Sequence, residues 1–472
     1  MSDVTSSKLR FPDDMFELRP GETPMYGFEP ELHAGVEFFK SLISADEWKT
    51  RRLATAKWFY QSLVGEAMDP TGKGHFYAQD DKFAWYVFLG EAFNHHPPNY
   101  EPIFGCKVVP VLASIGHNIH LIDKIEGFEE RSRRLWGDEK QQPNGTLFEL
   151  LVALAYAREG HCVRFVPETP GRAKSHDLEV EIDGTLFAVE CKRLEAGEFD
   201  ESERQRMREL WHDPARLIVP SRRSVFLNID FRVPLADVSD TYLLNKTTAF
   251  LNSAAEKQTW SDDVSSGSLS QLDLAPIKTA LVKGYMLYPG AVYNKALFGE
   301  YVRNDNLIQL QRVKPAPNPH FIDDVEQVIA ARWRSKSEIS IDRKARDIKR
   351  VLVKAHKQLP EDKPSIIHVG IESLGGDETE KRRYYKIRNV IDKFDMQSKP
   401  VVFIYCNYFA PEAPAEEAWA IDETVHWHAR VPGWTPLRSG NLIVPEEADF
   451  RDGMFWDGKP TPTFKFEDEA DS

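Results

Sequence analysis

Two short alternating runs, HDLEVEID and TLFAVECKR, meet at Asp183-Gly184, and this junction restricts the fold more than any other stretch of the chain. Asp-Gly supplies the two positive-φ residues of a tight turn between antiparallel strands, so the register follows by counting. Ile182 faces Thr185, Glu181 faces Leu186, and Asp177 lies opposite Glu190. Side chains alternate faces with period two, which puts Lys192 on the face of Asp177 and Glu190. Leu178, Val180, Ile182, Phe187, Val189 and Cys191 share the other face, the one expected to be buried. Two carboxylates and an ammonium therefore meet at the open end of the hairpin. Like charges directly across a ladder are destabilising, and a divalent cation on the Asp177 and Glu190 oxygens would offset this. Mg²⁺ (or Mn²⁺) suits such a site: a hard ion held by one or two carboxylates, water and substrate phosphate. It would acidify a bound water and neutralise a phosphodiester, with Lys192 orienting the water or stabilising the transition state.

The rest of the chain reads as a set of units around this hairpin. At 472 residues it exceeds one ordinary core. Residues 1–140 form a helical N-terminal region, with apolar stripes at Trp58–Tyr60 and Phe83–Leu89 and a break at HHPPNYEP (95–102). Residues 141–215 carry an apolar helix, GTLFELLVALAYAREG, then a short β-rich run (161–167), the hairpin, and a polar helix over about 198–212. Residues 216–340 form an insertion of mixed structure, with SVFLNIDFR (224–232) as a buried strand and linkers at 264–270 (Ser/Gly-rich) and 315–319 (Pro-rich). Residues 341–410 return to regular α/β character. Ile341, Ala345, Ile348, Leu352, Ala355 and Leu359 make one amphipathic helix, SIIHVGIE (365–372) a strand, a charged helix follows to about 395, and VVFIYCNYF (401–409) is another strand. Residues 411–472 are a C-terminal extension closing on an acidic tail, Glu467, Asp468, Glu469 and Asp471.

In sequence order, a helix carrying Glu149, a strand, Asp177, twelve residues and then Glu190-Cys191-Lys192 resemble the PD-(D/E)XK nuclease superfamily, the restriction-endonuclease-like fold. The resemblance covers about residues 143–194 and extends more loosely to 341–372. It implies an α/β architecture: a mixed sheet flanked by helices in an α-β-β-β-α-β core, interrupted here by the large insertion, with SVFLNIDFR a competitor for the fourth strand. It implies that Asp177, Glu190, Glu149 and the backbone carbonyl of Cys191 bind metal and that Lys192 is the catalytic lysine. Gln358 matches a polar position that related nucleases place near the metal. Two departures stand out: His176 replaces the motif proline, and Glu209, four residues after Gln205, leaves no QxxxY signature.

Each residue also has an ordinary structural explanation. Glu149 would close a capping box with Thr146; Asp177 and Glu190 would pair with Lys192 and Arg193 in a surface network; Gln358 would be a helix-end residue. His117 with His120, and His426 with His428, lack further ligands at matching spacing and read as structural.

Charge and composition bound the function. Hydrophobic residues make up 42% and charged residues 28% of the chain, the make-up of a folded protein. No run approaches the roughly 18 uninterrupted apolar residues of a membrane span. The start, MSDVTSSKLRFPDD, has no secretory signal, and Cys106, Cys162, Cys191 and Cys406 form no CxxC, so a reducing, cytoplasmic setting is expected. A net charge of −14 excludes a wholly basic surface, but Arg332–Lys357 holds ten Lys/Arg against three acids. Within it, Arg343, Lys344 and Lys354 are candidate phosphate contacts that fix position without reading sequence; a solvated helix face is the rival. The expectation is a nuclease acting on nucleic acid, DNA foremost, in restriction, phage defence or repair, with the N-terminal region and insertion supplying recognition or homo-oligomer contacts. The alternative is a nuclease-like scaffold that binds nucleic acid or a protein without cutting. The sequence carries no Gly-rich phosphate loop, GxSxG or HExxH to support an unrelated enzyme in the N-terminal half.

Overall fold

The computed structural model describes residues 15–18, 26–64, 80–167, 175–194, 197–282, 290–300, 302–303, 306–315, 322–397, 399–414, 418–444 and 454–457. The acidic tail, the Pro-rich stretch after Pro315 and most of the loop after Pro167 lie outside them. The chain is α/β and builds two mixed sheets, each with helices on both faces. Among the described residues no helix is long and apolar enough to cross a membrane.

The N-terminal region is helical: α1 (Pro30–Ser41), α2 (Ala45–Val64), α3 (Lys82–His95) and α4 (Pro102–His117) precede a two-residue strand β1 (Ile125–Glu126) and the short α5 (Phe128–Arg133). Then come α6 (Asn144–Arg158), β2 (Cys162–Phe165), β3 (Leu178–Ile182) and β4 (Thr185–Leu194). Asp183 and Gly184 both have positive φ, 48° and 77°, and Ile182 pairs with Thr185 and Glu181 with Leu186, the register expected from counting.

α7 (Glu198–Ile218) leads into the second sheet, made of β5 (Val225–Phe231), β6 (Lys257–Ser261), β7 (Ser265–Gln271), β8 (Asn306–Pro315) and β9 (Ile322–Ser335) in the order β6-β7-β5-β9-β8. α7 and α8 (Tyr242–Asn252) cover one face through Met207, Leu210, Trp211, Leu243 and Phe250. α9 (Ala275–Val282) and α10 (Ala291–Phe298) cover the other. α7, grouped with the hairpin from sequence, thus packs on this second unit. The Ser/Gly-rich stretch expected to be a linker is strand β7. Its small residues admit a bulky neighbour: a Cβ on Gly267 would lie 2.8 Å from the Trp260 ring. Ser265 Oγ meets the Tyr242 hydroxyl and the Trp260 Nε1–H at 2.8 and 2.9 Å. Ladder bonds and packing override weak strand propensity here.

The chain returns to the first sheet through α11 (Glu338–Lys344), α12 (Lys349–Gln358), β10 (Ser365–Glu372), α13 (Asp377–Lys393), β11 (Val401–Glu412) and β12 (Ala420–Ala429), completing the order β1-β2-β3-β4-β10-β11-β12. β10 runs parallel to both β4 and β11, so β10, not SVFLNIDFR, lies beside β4. The single helix expected over 341–359 is two. The Lys344 carbonyl accepts from Arg383 Nη2 at 3.1 Å and from the Arg346 N–H at 2.7 Å, and the Asp347 carboxylate starts α12 by accepting the Lys349 N–H at 2.8 Å. The apolar stripe survives the break, and all six of its residues are buried.

The hairpin was expected to bury one face only, and it buries two. Leu178, Val180, Phe187, Val189 and Cys191 pack with α6 and the N-terminal helices. Ala188 and Leu194, on the face of Glu190, pack with Leu352 and Ala355 of α12 and Ile367 of β10. A sheet covered on both sides is the normal consequence of parallel neighbours joined by helical crossovers. The helical layer is itself tight. α1 and α4 cross so closely that a Cβ at Gly116 would sit 1.8 Å from the Glu31 carbonyl oxygen, and one at Gly35 2.1 Å from that of Leu112. Backbone cannot rotate aside as a side chain can, so Gly116→Ala is expected to destabilise the protein by about 1–3 kcal/mol, read by denaturant melting. Gly145→Ala, with no atom within 4 Å of the added carbon, is the matched control.

Candidate active site

Asp177 enters the site because its N–H donates to the Val189 carbonyl at 3.1 Å, one ladder step beyond the Leu178–Val189 pair. This fixes it opposite Glu190. Its Oδ2 accepts the Cys191 N–H at 2.8 Å. Glu190 is 0% exposed; one oxygen is paired with the Lys192 ammonium, while Oε2 is buried with no hydrogen-bond partner. Lys192 Nζ also lies 3.3 Å from the Cys191 carbonyl, so that carbonyl points toward the same group of charges. The Cys191 thiol belongs to the apolar cluster on the opposite face.

Glu149 joins from α6 and is only 9% exposed. It does not cap its helix: α6 begins at Asn144 with no side-chain cap, and the Thr146 hydroxyl donates to Glu139 instead. Its Oε2 accepts from Arg131 Nε at 2.6 Å, and the same guanidinium reaches within 3.8 Å of Asp177 Oδ1. Glu149, Asp177, Lys192, Arg131 and Gln358 line one cavity of about 430 Å³, whose wall is completed by Asp138, Glu139 and neighbouring polar residues. Gln358, at the end of α12, donates to the Ser175 carbonyl at 3.1 Å.

The charges strain against one another. Burial, and then the Asp177 charge, push the Glu149 carboxyl up to about 8 despite Arg131, and the same two causes push Glu190 up to about 9 despite Lys192. Burial works against the Lys192 ammonium, but Glu190 and Asp177 hold its pKa above the ordinary lysine value. These are mutually perturbed groups at and directly behind a cavity wall, a frequent mark of a functional site. Among the described residues no three His, Cys, Asp or Glu side chains are gathered into a ready-made ion site: Glu149 is drawn to Arg131, Glu190 to Lys192 and Asp177 to a backbone amide. The donors are nevertheless hard oxygens, and the orphaned Oε2 of Glu190 is the kind of buried acceptor a hard cation satisfies.

The basic candidates divide. Lys354 and Arg343 are exposed, Arg343 resting over the Phe199 ring at 5.4 Å. Lys344 is 7% exposed and bound to Glu203 and Asp200 at 2.8 and 3.5 Å, so it is an internal ion-pair member and not a phosphate contact. His426 sits among Tyr384, Tyr408 and Trp456, and His428 lies 3.8 Å from Asp392; neither lines the cavity. Sequence reasoning missed Arg131. It sits in an ordinary EERSRR helix turn, and only the packing of α5 against α6 brings it to the acids.

A carboxyl with a raised pKa keeps its proton in the folded protein after the unfolded chain has lost it. Its contribution to stability is full below about pH 4.5 and is lost as pH rises through the folded value. The contribution of Glu149 and Glu190 in the metal-free protein should therefore be lost as pH rises from roughly 4.5 to 9, and Glu190→Gln should make stability fall less with rising pH in melts run across the range. A slope unchanged by the substitution would mean that Glu190 does not titrate in this window. Comparison of the chain with protein-family models, with curated proteins and with solved structures gives no match, so the reading of this site rests on its geometry and chemistry.

Proposed function

We propose that this chain is a divalent-metal-dependent nuclease of the PD-(D/E)XK kind that hydrolyses phosphodiester bonds, in DNA foremost. One observation carries the reading: Asp177, Glu149 and Lys192 line one cavity, and behind them Glu190, buried and paired with Lys192, has one oxygen with no partner. The order α6–β2–β3–β4, then α12–β10, supports it as well. The cavity wall carries four carboxylates (Asp138, Glu139, Glu149, Asp177) against Arg131 and Lys192. A phosphodiester would be repelled from such a wall unless a cation came with it.

Asp177, Glu190, Glu149 and the Cys191 carbonyl would hold Mg²⁺ or Mn²⁺, which when bound supplies charge neutralisation and an acidified water. Lys192 stays protonated beside Glu190, and its ammonium is suited to hold the attacking water by hydrogen bond and to stabilise negative charge on the phosphoryl oxygens. Gln358 offers a neutral amide at the cavity mouth. Approaching it, α12 presents Lys349, Arg350, Lys354 and Lys357 to solvent, and none of the four forms an ion pair with a described residue. Such a stripe fits the regular charge of a nucleic-acid backbone.

The rival reading, a scaffold that binds without cutting, draws on the fact that Arg131 and Lys192 already pair with two of the acids. Cleavage of plasmid and single-stranded DNA with added Mg²⁺ separates the two. Lys192→Ala and Asp177→Ala should each lower the rate by at least roughly 100-fold, and chelation should abolish it. Cleavage that survives both substitutions belongs to a contaminant, and binding without cleavage at every metal concentration favours the scaffold. Independently, Arg350→Glu with Lys354→Glu should weaken DNA binding for all sequences and flatten its salt dependence by about one unit of slope for each phosphate no longer neutralised.

A further inference from the structure

We infer that Arg131 is the resident counter-ion of the acid cluster, and that metal loading is an exchange in which the ion displaces its guanidinium. The inference rests on the metal reading proposed above and concerns how this chain controls it. Arg131 binds Glu149 Oε2 through both Nε, at 2.6 Å, and Nη2, and Nη2 faces Asp177 Oδ1 at 3.8 Å. The second Asp177 oxygen is taken by the Cys191 N–H. The guanidinium thus lies against the oxygens that two of the proposed ligands would offer a cation. It is a 10% exposed side chain, so its charge is poorly screened, and a dication and a guanidinium cannot share those oxygens without strong repulsion.

The cavity also contains a place for the displaced group. Glu139 lies on the same wall and already acts electrostatically on Arg131; it is partly exposed and shares the Thr146 hydroxyl and a 3.6 Å contact with Arg134. The guanidinium is carried by a short element: α5 is six residues long and starts from Gly127 at φ 81°. Arg131 therefore acts as a positioning residue. It occupies oxygens of Glu149 and Asp177 in the absence of metal, and it raises the cation concentration needed to assemble the site.

The test is Mn²⁺ binding to the intact protein without nucleic acid, followed by calorimetry and by the loss of the free-ion paramagnetic signal. Arg131→Gln should tighten Mn²⁺ binding on the order of tenfold, because the competing charge is gone. Glu139→Gln, at a partly exposed position, should loosen it severalfold by removing the alternative partner. Folded Arg131→Gln protein with unchanged or weaker Mn²⁺ affinity overturns the exchange while leaving the metal reading intact. If circular dichroism shows that Arg131→Gln does not fold, Glu139→Gln decides: unchanged affinity overturns the exchange and weakened affinity supports it. No Mn²⁺ binding by the unsubstituted protein or either variant overturns the metal reading, and the exchange with it.

Discussion

Glu190 is a carboxylate placed in the middle of a buried β-strand, and most of the site's properties follow from the problem this creates. Burying an ionised carboxylate is costly unless it is paired and hydrogen-bonded. The fold supplies one partner, Lys192, two residues on along the same face, and leaves the other oxygen bare. Asp177 is then set directly across the ladder and Glu149 is brought in from α6; besides burial, Asp177 raises the proton affinity of both glutamates, and Glu149 raises that of Glu190. Core strands built for stability alone put apolar residues at such positions, as β10 does at Ile366, Ile367 and Val369. An arrangement that costs stability and lies against a cavity is what the proposed metal site would require and what the fold alone does not.

A buried polar network links the helices that flank the two sheets. Lys344 of α11 binds Glu203 and Asp200 of α7, Glu203 accepts from the Ser340 hydroxyl at 2.7 Å, and Arg383 of α13 pairs with Glu380 at 2.6 Å while donating to the Lys344 carbonyl. This buried network ties α7, which packs on the second sheet, to α13, which flanks β10. The unit inserted between β4 and α12 is thereby anchored beside the strand that neighbours Glu190. Internal pairing also makes the basic run less basic on the surface than in the sequence. Arg332 is turned inward and pairs with Glu300 at 2.7 Å, Arg334 is partly exposed and held by Asp230 at 2.6 Å, and Lys344 is internal. The cations left facing solvent are concentrated on and just before α12.

Legibility from sequence followed the range of the interaction. The Asp183-Gly184 turn fixes a register, a register fixes which side chains share a face, and that local chain of reasoning placed Asp177, Glu190 and Lys192 together correctly. Gln358 came within reach through the amphipathic stripe of its helix. What stayed hidden depends on contacts distant in sequence or on choices between equal local options. Ser265–Gln271 reads as a linker because its propensity is poor, yet a ladder on each side makes it a strand. The break between α11 and α12 is imposed by Arg383 from another helix. Lys344 and Lys354 are indistinguishable as letters, but one faces Glu203 and the other water. Arg131 offered no local signal, and it is the residue that most changes how the acid cluster is understood.

On the proposed reading, these carboxylates are assembled to receive one divalent ion. Crystals of the protein grown with Mn²⁺ and measured at the manganese absorption edge test it most directly. An anomalous peak bounded by oxygens of Asp177, Glu190 and Glu149, with Arg131 moved off Glu149, is the predicted result. Density showing Arg131 still seated on Glu149 at saturating Mn²⁺, with no peak among the three acids, would contradict it.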